Sequence, residues 1–201
     1  MLSSEERGYL RWIGTKFTGT GAAVELGPWL GQSTRCILAG LPPQYRLTTV
    51  DDFIWRSAWM DGHLSRTAFT PPGNFQTFLP LFREINAAYL ERLSVVEGRL
   101  SLYDGNEAIA EFEWTGEPIE LLVVDCGRTF EVNETWFRKL QACFIPGESF
   151  IVMQDWRLFR ETPFKWYNQT RQFTDSKQGL LRLHHEVSHG GLASFLYTGR
   201  G

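Results

Sequence analysis

The pattern of apolar and polar positions predicts a sheet of short strands separated by helices. Five short apolar segments have the length of buried strands, namely residues 22–26, 46–50, 99–103, 119–125 and 150–155. Apolar side chains recur at helical spacing in other segments, which predicts helices over about 3–16, 33–39, 79–93 and 131–143. Residues 180–187 alternate, 188–191 form a turn, and 192–197 return as a second antiparallel strand. The expected fold is therefore α/β, with a seven-stranded, mostly parallel sheet, a carboxyl-terminal antiparallel hairpin and helices on both faces.

Two aromatic segments without clear periodicity follow the second and fifth predicted strands, at residues 53–75 and 156–177. Long irregular segments in a compact domain are usually functional or disordered, and their aromatic content argues against disorder. We expect both to fold over the carboxyl edge of the sheet and to supply a binding pocket for a substrate, with the candidate residues Trp55, Trp59, Trp156 and Trp166. The alternative is a hydrophobic lid or a dimer surface, because aromatic residues also mark interfaces.

The first predicted strand ends in a glycine-rich turn that opens a helix. Gly27 can adopt backbone angles closed to other residues, and Gly31 allows another group to approach the main chain closely. The start of the helix presents free N–H groups over the turn. A nucleotide-like cofactor binds over such a turn, so the candidate cofactor-binding residues here are Glu25, Gly27, Pro28, Trp29, Gly31, Ser33 and Thr34.

Two acids, Asp51 and Asp52, follow the second predicted strand about twenty residues after this turn. An acid at that place holds the hydroxyl pair of a ribose. The dinucleotide pattern requires a glycine two residues after Gly27, where this chain has Trp29. The bulky side chain favours a cofactor without a pyrophosphate.

These residues resemble a known family. The run Glu-Leu-Gly-Pro-Trp-Leu-Gly-Gln-Ser-Thr at 25–34, followed by Thr-Val-Asp-Asp-Phe at 49–53, is similar to the cofactor half of class I S-adenosylmethionine-dependent methyltransferases, and most similar to the macrocin-type branch that methylates sugar hydroxyls. The resemblance runs from about residue 21 to 197 as short islands. It implies a Rossmann-like fold over a single domain of residues 1–201, S-adenosylmethionine as cofactor, and O-methylation of a small molecule or sugar.

The resemblance also assigns Asp104, beyond the third predicted strand, to the adenine amino group of the cofactor. The alternative for this residue is a turn or helix-capping acid, since Asp-Gly is also a turn signature.

Acids end several predicted strands, and the candidates for catalysis are Asp125 and Asp155 together with His63. Asp125 is also a candidate cofactor-binding residue. Related sugar O-methyltransferases hold a divalent cation at the tips of the fourth and fifth strands, which correspond here to Asp125, Gln154 and Asp155. Gln154 stands where a second acid is usual, and a neutral amide weakens a site for a hard cation. Dependence on Mg²⁺ is therefore left open, and without a metal Asp125 is the first choice as base.

Arg128 and Phe130 occupy the places of a histidine and a tyrosine of the family pattern. Arg128 either pairs with an acid or binds a phosphate or carboxylate on the acceptor, for which its planar fork is suited. His63 either assists the acceptor or is structural. The departures from the pattern also motivate an alternative, in which the protein is a catalytically degenerate module that binds the cofactor or a protein partner without turnover.

Charge and composition narrow the possible partners and classes of protein. The net charge of −3 gives no electrostatic reason to expect nucleic acid, and no basic run indicates a membrane surface. The three cysteines argue against a disulfide framework and a zinc site, and the polar start lacks a signal-peptide pattern, so we expect a cytoplasmic protein. The absence of a long amino-terminal cap is compatible with a homo-oligomer whose second subunit completes the pocket. A nicotinamide-dependent oxidoreductase is disfavoured by Trp29 and by the closing hairpin.

Overall fold

The structure is a computed structural model that describes residues 2–64, 69–100, 109–160 and 167–199. Its seven-stranded sheet consists of β1 (Ala22–Leu26), β2 (Leu47–Asp51), β3 (Leu93–Glu97), β4 (Ile119–Val124), β5 (Phe150–Met153), β6 (Leu181–Glu186) and β7 (Ala193–Tyr197). The helices are α1 (Ser4–Gly14), α2 (Gln32–Gly40), α3 (Ser57–Leu64), α4 (Leu79–Ile85), α5 (Phe130–Leu140) and α6 (Tyr167–Ser176). Among the described residues, no helix is long and apolar enough to cross a bilayer.

The strand order is β3-β2-β1-β4-β5-β7-β6, with β1 to β5 parallel and β7 antiparallel to both of its neighbours. The predicted α/β fold, with its antiparallel hairpin at the carboxyl end, is confirmed. The chain order reverses at β1, which lies between β2 and β4, and this is the point of an open α/β sheet where ligands bind.

The register brings three strand ends level with one another. Leu26 is opposite Val50 on one side and Val124 on the other. The next residues continue the ladder, because the Gly27 N–H donates to Val50 at 2.9 Å and the Asp125 N–H donates to Leu26 at 2.9 Å. Whatever follows these strands therefore meets at a single edge.

Each face of the sheet carries its own hydrophobic core. Alternate strand residues point to opposite faces, so Val123 belongs to one core and Val124 to the other. The first core includes residues of α1, α2 and α4, and the second includes Trp136 of α5 and Phe173 of α6. Helices on both faces leave the carboxyl edge of the central strands as the place for a ligand.

The third strand is not at the predicted residues 99–103. It is Leu93–Glu97, which pairs with β2 in parallel, and the predicted helix 79–93 is divided into α4 and a 3-10 turn at Ala87–Arg92. The Asn86 side chain donates to the carbonyl of Phe82 at 2.7 Å at the end of α4. The apolar spacing that predicted one long helix is shared by α4 and the turn. Residues 101–103 of the predicted strand lie outside the described residues.

The two aromatic segments are also more regular than expected, because the first contains α3 and the second contains α6. The hydrophobic face of α3 is short: its buried residues are Met60 and Leu64. So few apolar positions give no recognisable helical period.

A carboxylate fixes the entry into β1 at the opposite edge of the sheet. Glu120, in β4, accepts the Thr18 N–H at 2.5 Å, the Gly19 N–H at 2.8 Å and the Thr20 N–H at 2.9 Å. Its side chain is almost fully buried. These charge-assisted bonds hold the end of the segment that joins α1 to the sheet.

Candidate active site

The turn between β1 and α2 follows the glycine pattern closely. Gly27 has φ 79°, and a Cβ there would lie 3.0 Å from the Cβ of Cys126. Gly31 has φ 82°, and a Cβ there would lie 2.4 Å from Oδ1 of Asn86. The group that approaches Gly31 in this structure is therefore a side-chain amide of the protein. Pro28 closes the turn by accepting the Gly31 N–H at 2.7 Å, and Trp29 has φ 44°.

Glu25 is completely buried below this turn. Its Oε2 accepts a hydrogen bond of 2.6 Å from the Thr34 hydroxyl, whereas its Oε1 has no hydrogen-bond partner among the described residues. Burial raises the pKa of Glu25 to about 7, against the opposing effects of hydrogen bonds from Ser33 and Thr34 and of the charge on Arg35. An unpartnered buried carboxyl oxygen carries a cost of order 1–3 kcal/mol that a donor from a ligand would remove.

The two acids at the tip of β2 have different surroundings. Asp52 is held by Arg56 at 2.5 Å and by the Ile54 N–H at 2.9 Å. Asp51 accepts the Phe53 N–H at 2.8 Å through Oδ1 and lines a cavity. Burial, followed by the charge of Asp52, raises the pKa of Asp51 to about 7. Asp51 is therefore the acid with a carboxyl group available to a ligand.

The tips of β4 and β5 carry a second group of charges. Burial, and then the neighbouring charge of Asp155, raise the pKa of Asp125 well above its ordinary value, and Arg128 opposes this shift. Arg128 is paired with Asp155, since its Nε and one terminal nitrogen each lie 2.7 Å from Oδ2. Gln154 is buried, and its Nε2 has no hydrogen-bond partner among the described residues.

A cavity of about 540 Å³ lies along this edge and has the size of a small-molecule site. It brings together many of the residues that the sequence predicts, namely Gly27, Trp29, Asp51, Asp52, Trp59, Asp125 and Arg128. Residues that the prediction did not name also line it, including Arg56, Arg99, Cys126, Thr129 and Gln169. Arg56 follows the predicted second strand closely in sequence, and that position was the available signal for it, whereas Arg99 stood at the start of the predicted third strand. Burial and neighbouring carboxyl groups raise the pKa of the Cys126 thiol, which makes it a poor nucleophile.

Other predicted cofactor residues lie around the turn but do not line this cavity. Glu25, Ser33 and Thr34 are buried beneath it. Asp104 lies outside the described residues.

The predicted aromatic residues divide into two sets. Trp59 lies 6.3 Å from Trp29 between ring centroids, and His63 contacts Trp29 edge-on at 5.5 Å, so the three form an aromatic cluster at the cavity edge. Trp55 is fully buried and donates from Nε1 to Asp61 at 2.7 Å. Trp156 packs on Phe195 and lines a different, smaller cavity.

The burial of Trp55 and the place of Trp156 give both residues structural roles, and within the described residues neither lies on the wall of the main cavity. Trp166 lies outside the described residues.

The predicted metal ligands do not form a cation site of the expected kind. Asp155 is committed to Arg128, and Gln154 contributes a neutral amide. Within the described parts of the chain, no three His, Cys, Asp or Glu side chains are grouped so that they could hold a metal ion. The residues present therefore do not fit Mg²⁺, which favours charged oxygen ligands.

No protein-family model and no curated protein sequence matches this chain. Solved structures do match it in fold. One is the O-methyltransferase TomG from Streptomyces achromogenes, involved in tomaymycin synthesis and crystallised with S-adenosylmethionine, at 18% identity and a TM-score of 0.59 over 99% of this chain and 82% of TomG. A Bacillus cereus O-methyltransferase in complex with S-adenosylhomocysteine matches at 14% identity and a TM-score of 0.59, over 98% of this chain and 82% of its own.

A third match is a putative O-methyltransferase from Klebsiella pneumoniae, at 15% identity and a TM-score of 0.64, again over 98% of this chain and 82% of the other. At these identities the similarity establishes a common fold. The chain is thus similar to O-methyltransferases in the Rossmann-like arrangement of its sheet and helices.

Proposed function

We propose that this protein is an S-adenosylmethionine-dependent methyltransferase that methylates a hydroxyl group of a small molecule or sugar. The observation that carries the proposal is the cavity at the chain reversal of the sheet, where Asp51 and Asp125 meet beside the Gly27 turn. The matched O-methyltransferases with bound S-adenosylmethionine or S-adenosylhomocysteine support this choice among the ligands that such a sheet can bind. The macrocin-type branch that acts on sugars is the finer form of the proposal.

The cofactor is assigned to the Gly27 side of the cavity. Asp51 offers carboxyl oxygens to the two ribose hydroxyls, which is the usual role of an acid at this strand tip. Gly27 leaves the turn without a side chain at the point where it meets Cys126. The bulky side chain of Trp29 obstructs the binding of a pyrophosphate. It does not obstruct a nucleoside that carries an amino-acid group, as S-adenosylmethionine does. Glu25 lies beneath the turn and supports it through its hydrogen bond with Thr34.

Asp125 is assigned as the base. When bound, the cofactor supplies a methyl group on a sulfonium, and the neutral thioether is the leaving group. Asp125 would hold the acceptor hydroxyl and take its proton as the acceptor oxygen is methylated. Burial and the charge of Asp155 raise the pKa of Asp125 well above its ordinary value, so its carboxylate is a stronger base than an exposed one. Positioning of the two reactants provides the remaining rate enhancement.

The acceptor is assigned to the side of the cavity bordered by the aromatic cluster of Trp29, Trp59 and His63. Flat apolar surfaces of this kind stack on a sugar ring or an aromatic ring. His63 is exposed, and it contacts both tryptophans edge-on. It can therefore orient the acceptor without lying beside Asp125.

The test is transfer of a labelled methyl group from S-adenosylmethionine to a panel of sugars, nucleotide-linked sugars and phenols. We expect turnover with at least one hydroxyl acceptor and loss of turnover in Asp125→Asn, with S-adenosylhomocysteine binding retained. Cofactor binding without turnover on any acceptor would support the degenerate binding module. Absence of cofactor binding would overturn both.

A further inference from the structure

Arg128, which lines the cavity after β4, forms an ion pair with Asp155, which lies just beyond the tip of β5. Both the Nε and a terminal nitrogen of Arg128 reach the same carboxylate oxygen, Oδ2, at 2.7 Å. The side chain of Asp155 is 26% exposed and that of Arg128 is 45% exposed, so the pair is not sealed in the core, and Arg128 itself lines the cavity.

The backbone on both sides of Arg128 is anchored. Asn133, in α5, donates from Nδ2 to the carbonyl oxygens of Gly127 and Thr129, each at 2.9 Å. Oδ1 of Asn133 in turn accepts a hydrogen bond of 2.8 Å from Nε1 of the buried Trp136. The backbone of the loop that carries Arg128 is therefore fixed from the core.

Asp155 is also held in a special conformation. Its φ of 59° lies in the left-handed region, which is uncommon for a residue with a side chain. The preceding residue, Gln154, continues the sheet by donating its N–H to Val124 at 2.9 Å. The chain thus leaves the sheet abruptly at Asp155, with the carboxylate directed to Arg128.

The charges at this place are arranged around the guanidinium. Asp155 contacts it directly, and Asp125 is close enough for the charge of Arg128 to stabilise its ionised form. A divalent cation bound to the carboxylate of Asp155 would lie beside the guanidinium that already contacts that carboxylate. Because like charges repel strongly at such short range, the two cations exclude one another.

We infer that the guanidinium of Arg128 occupies the position of a divalent cation between Asp125 and Asp155, and that this site therefore works with a built-in organic cation and without a metal ion. The role of this positive charge in the reaction rests on the proposed methyl transfer. The positive charge of Arg128 then lies on the cavity wall, where it can attract an acceptor oxygen as that oxygen loses its proton.

The inference is tested by Mn²⁺ binding, followed by electron paramagnetic resonance, in the wild type and in Arg128→Ala and Arg128→Gln. We expect weak or no binding in the wild type and at least about tenfold tighter binding in both variants, because a neighbouring like charge has been removed. Adding Asp155→Asn to Arg128→Ala should abolish the gain. The matched control is Arg99→Ala, which removes another cavity-lining arginine and should leave Mn²⁺ affinity unchanged.

Wild-type protein that binds Mn²⁺ as tightly as the Arg128 variants would overturn the inference, as would an equal gain in Arg99→Ala. S-adenosylhomocysteine binding and melting temperature, measured on the same preparations, keep the two proposals separate. If the Mn²⁺ pattern is as expected but S-adenosylhomocysteine does not bind, the cation assignment stands and the methyltransferase proposal fails.

Discussion

The hydroxyl of Thr34 donates a hydrogen bond of 2.6 Å to Oε2 of Glu25, and both side chains are completely buried. This bond joins the end of β1 to the first turn of α2 beneath the glycine-rich segment. Since the other oxygen of Glu25 has no partner among the described residues, the carboxyl group is only half satisfied. Its protonation should therefore be visible in the stability of the protein.

The free energy of unfolding should fall as the pH rises from about 4.5 to about 7. Burial raises the pKa of Glu25 in the folded protein to about 7 from its ordinary value of 4.5, so within that window the folded state holds a proton that the unfolded state has lost. Stability is then fully present below the lower value and is lost as the pH passes the upper one, with a slope of at most about 1.4 kcal/mol per pH unit for one group. Urea denaturation at several pH values measures it.

Glu25→Gln should flatten this dependence, although a decline should remain because Asp51 has a raised pKa of the same sign. Glu148→Gln, at an exposed position, is the matched control and should follow the wild type. A stability that rises between pH 5 and 7 in the wild type would contradict the assignment of a buried proton to Glu25.

Trp59→Ala should raise the KM for the acceptor by roughly tenfold and leave S-adenosylhomocysteine affinity within about twofold, because a lost aromatic stacking contact is worth about 1–1.5 kcal/mol. Trp59 is 44% exposed and belongs to the aromatic cluster at the cavity edge. Trp12→Ala is a matched control, since Trp12 is 41% exposed but lies on α1 beside His184. Steady-state kinetics with the acceptor found by the methyl-transfer screen provide the measurement. Equal effects of the two substitutions would show that Trp59 has no special role.

Glu120→Ala should lower the free energy of unfolding by about 3 kcal/mol, because several backbone N–H groups lose a charged acceptor in a nearly buried place. Glu120→Gln keeps one acceptor oxygen and should cost less. Urea denaturation separates the two. Since Glu120 lies at the edge of the sheet opposite the cavity, S-adenosylhomocysteine affinity should be unchanged in both, and a loss of affinity at full folding would contradict this division of roles.

The strands and the first turn could be predicted because their signals are local. Short apolar runs ended by acids identified β1, β2, β4 and β5, and the alternation near the carboxyl end identified the hairpin. The third strand could not be found in this way, since β3 follows a 3-10 turn whose apolar spacing continues that of α4. Leu93 is identified as a strand residue only by its parallel pairing with Leu47, which is a long-range contact.

The site was predictable to the extent that it follows strand ends. Asp51 and Asp125 meet because parallel strands terminate at one edge. Trp55 and Trp156 could not be distinguished from Trp59 in sequence, because their burial depends on packing against distant residues such as Phe78 and Phe195. The sequence allowed Arg128 either to pair with an acid or to bind an anionic group of the acceptor. Arg128 and Asp155 are 27 positions apart, so their pairing is visible only in the folded structure.

Calorimetric titration with S-adenosylhomocysteine, in the wild type and in Asp51→Asn, decides whether Asp51 holds the ribose of the proposed cofactor. We expect the wild type to bind S-adenosylhomocysteine but not NAD⁺. Asp51→Asn should bind S-adenosylhomocysteine at least about tenfold more weakly, since a charge-assisted hydrogen bond to the ribose is worth about 1.5–3 kcal/mol. Asp175→Asn, at an exposed acid of α6, should bind like the wild type. No binding by the folded wild type, or equal binding by Asp51→Asn, would refute the cofactor assignment.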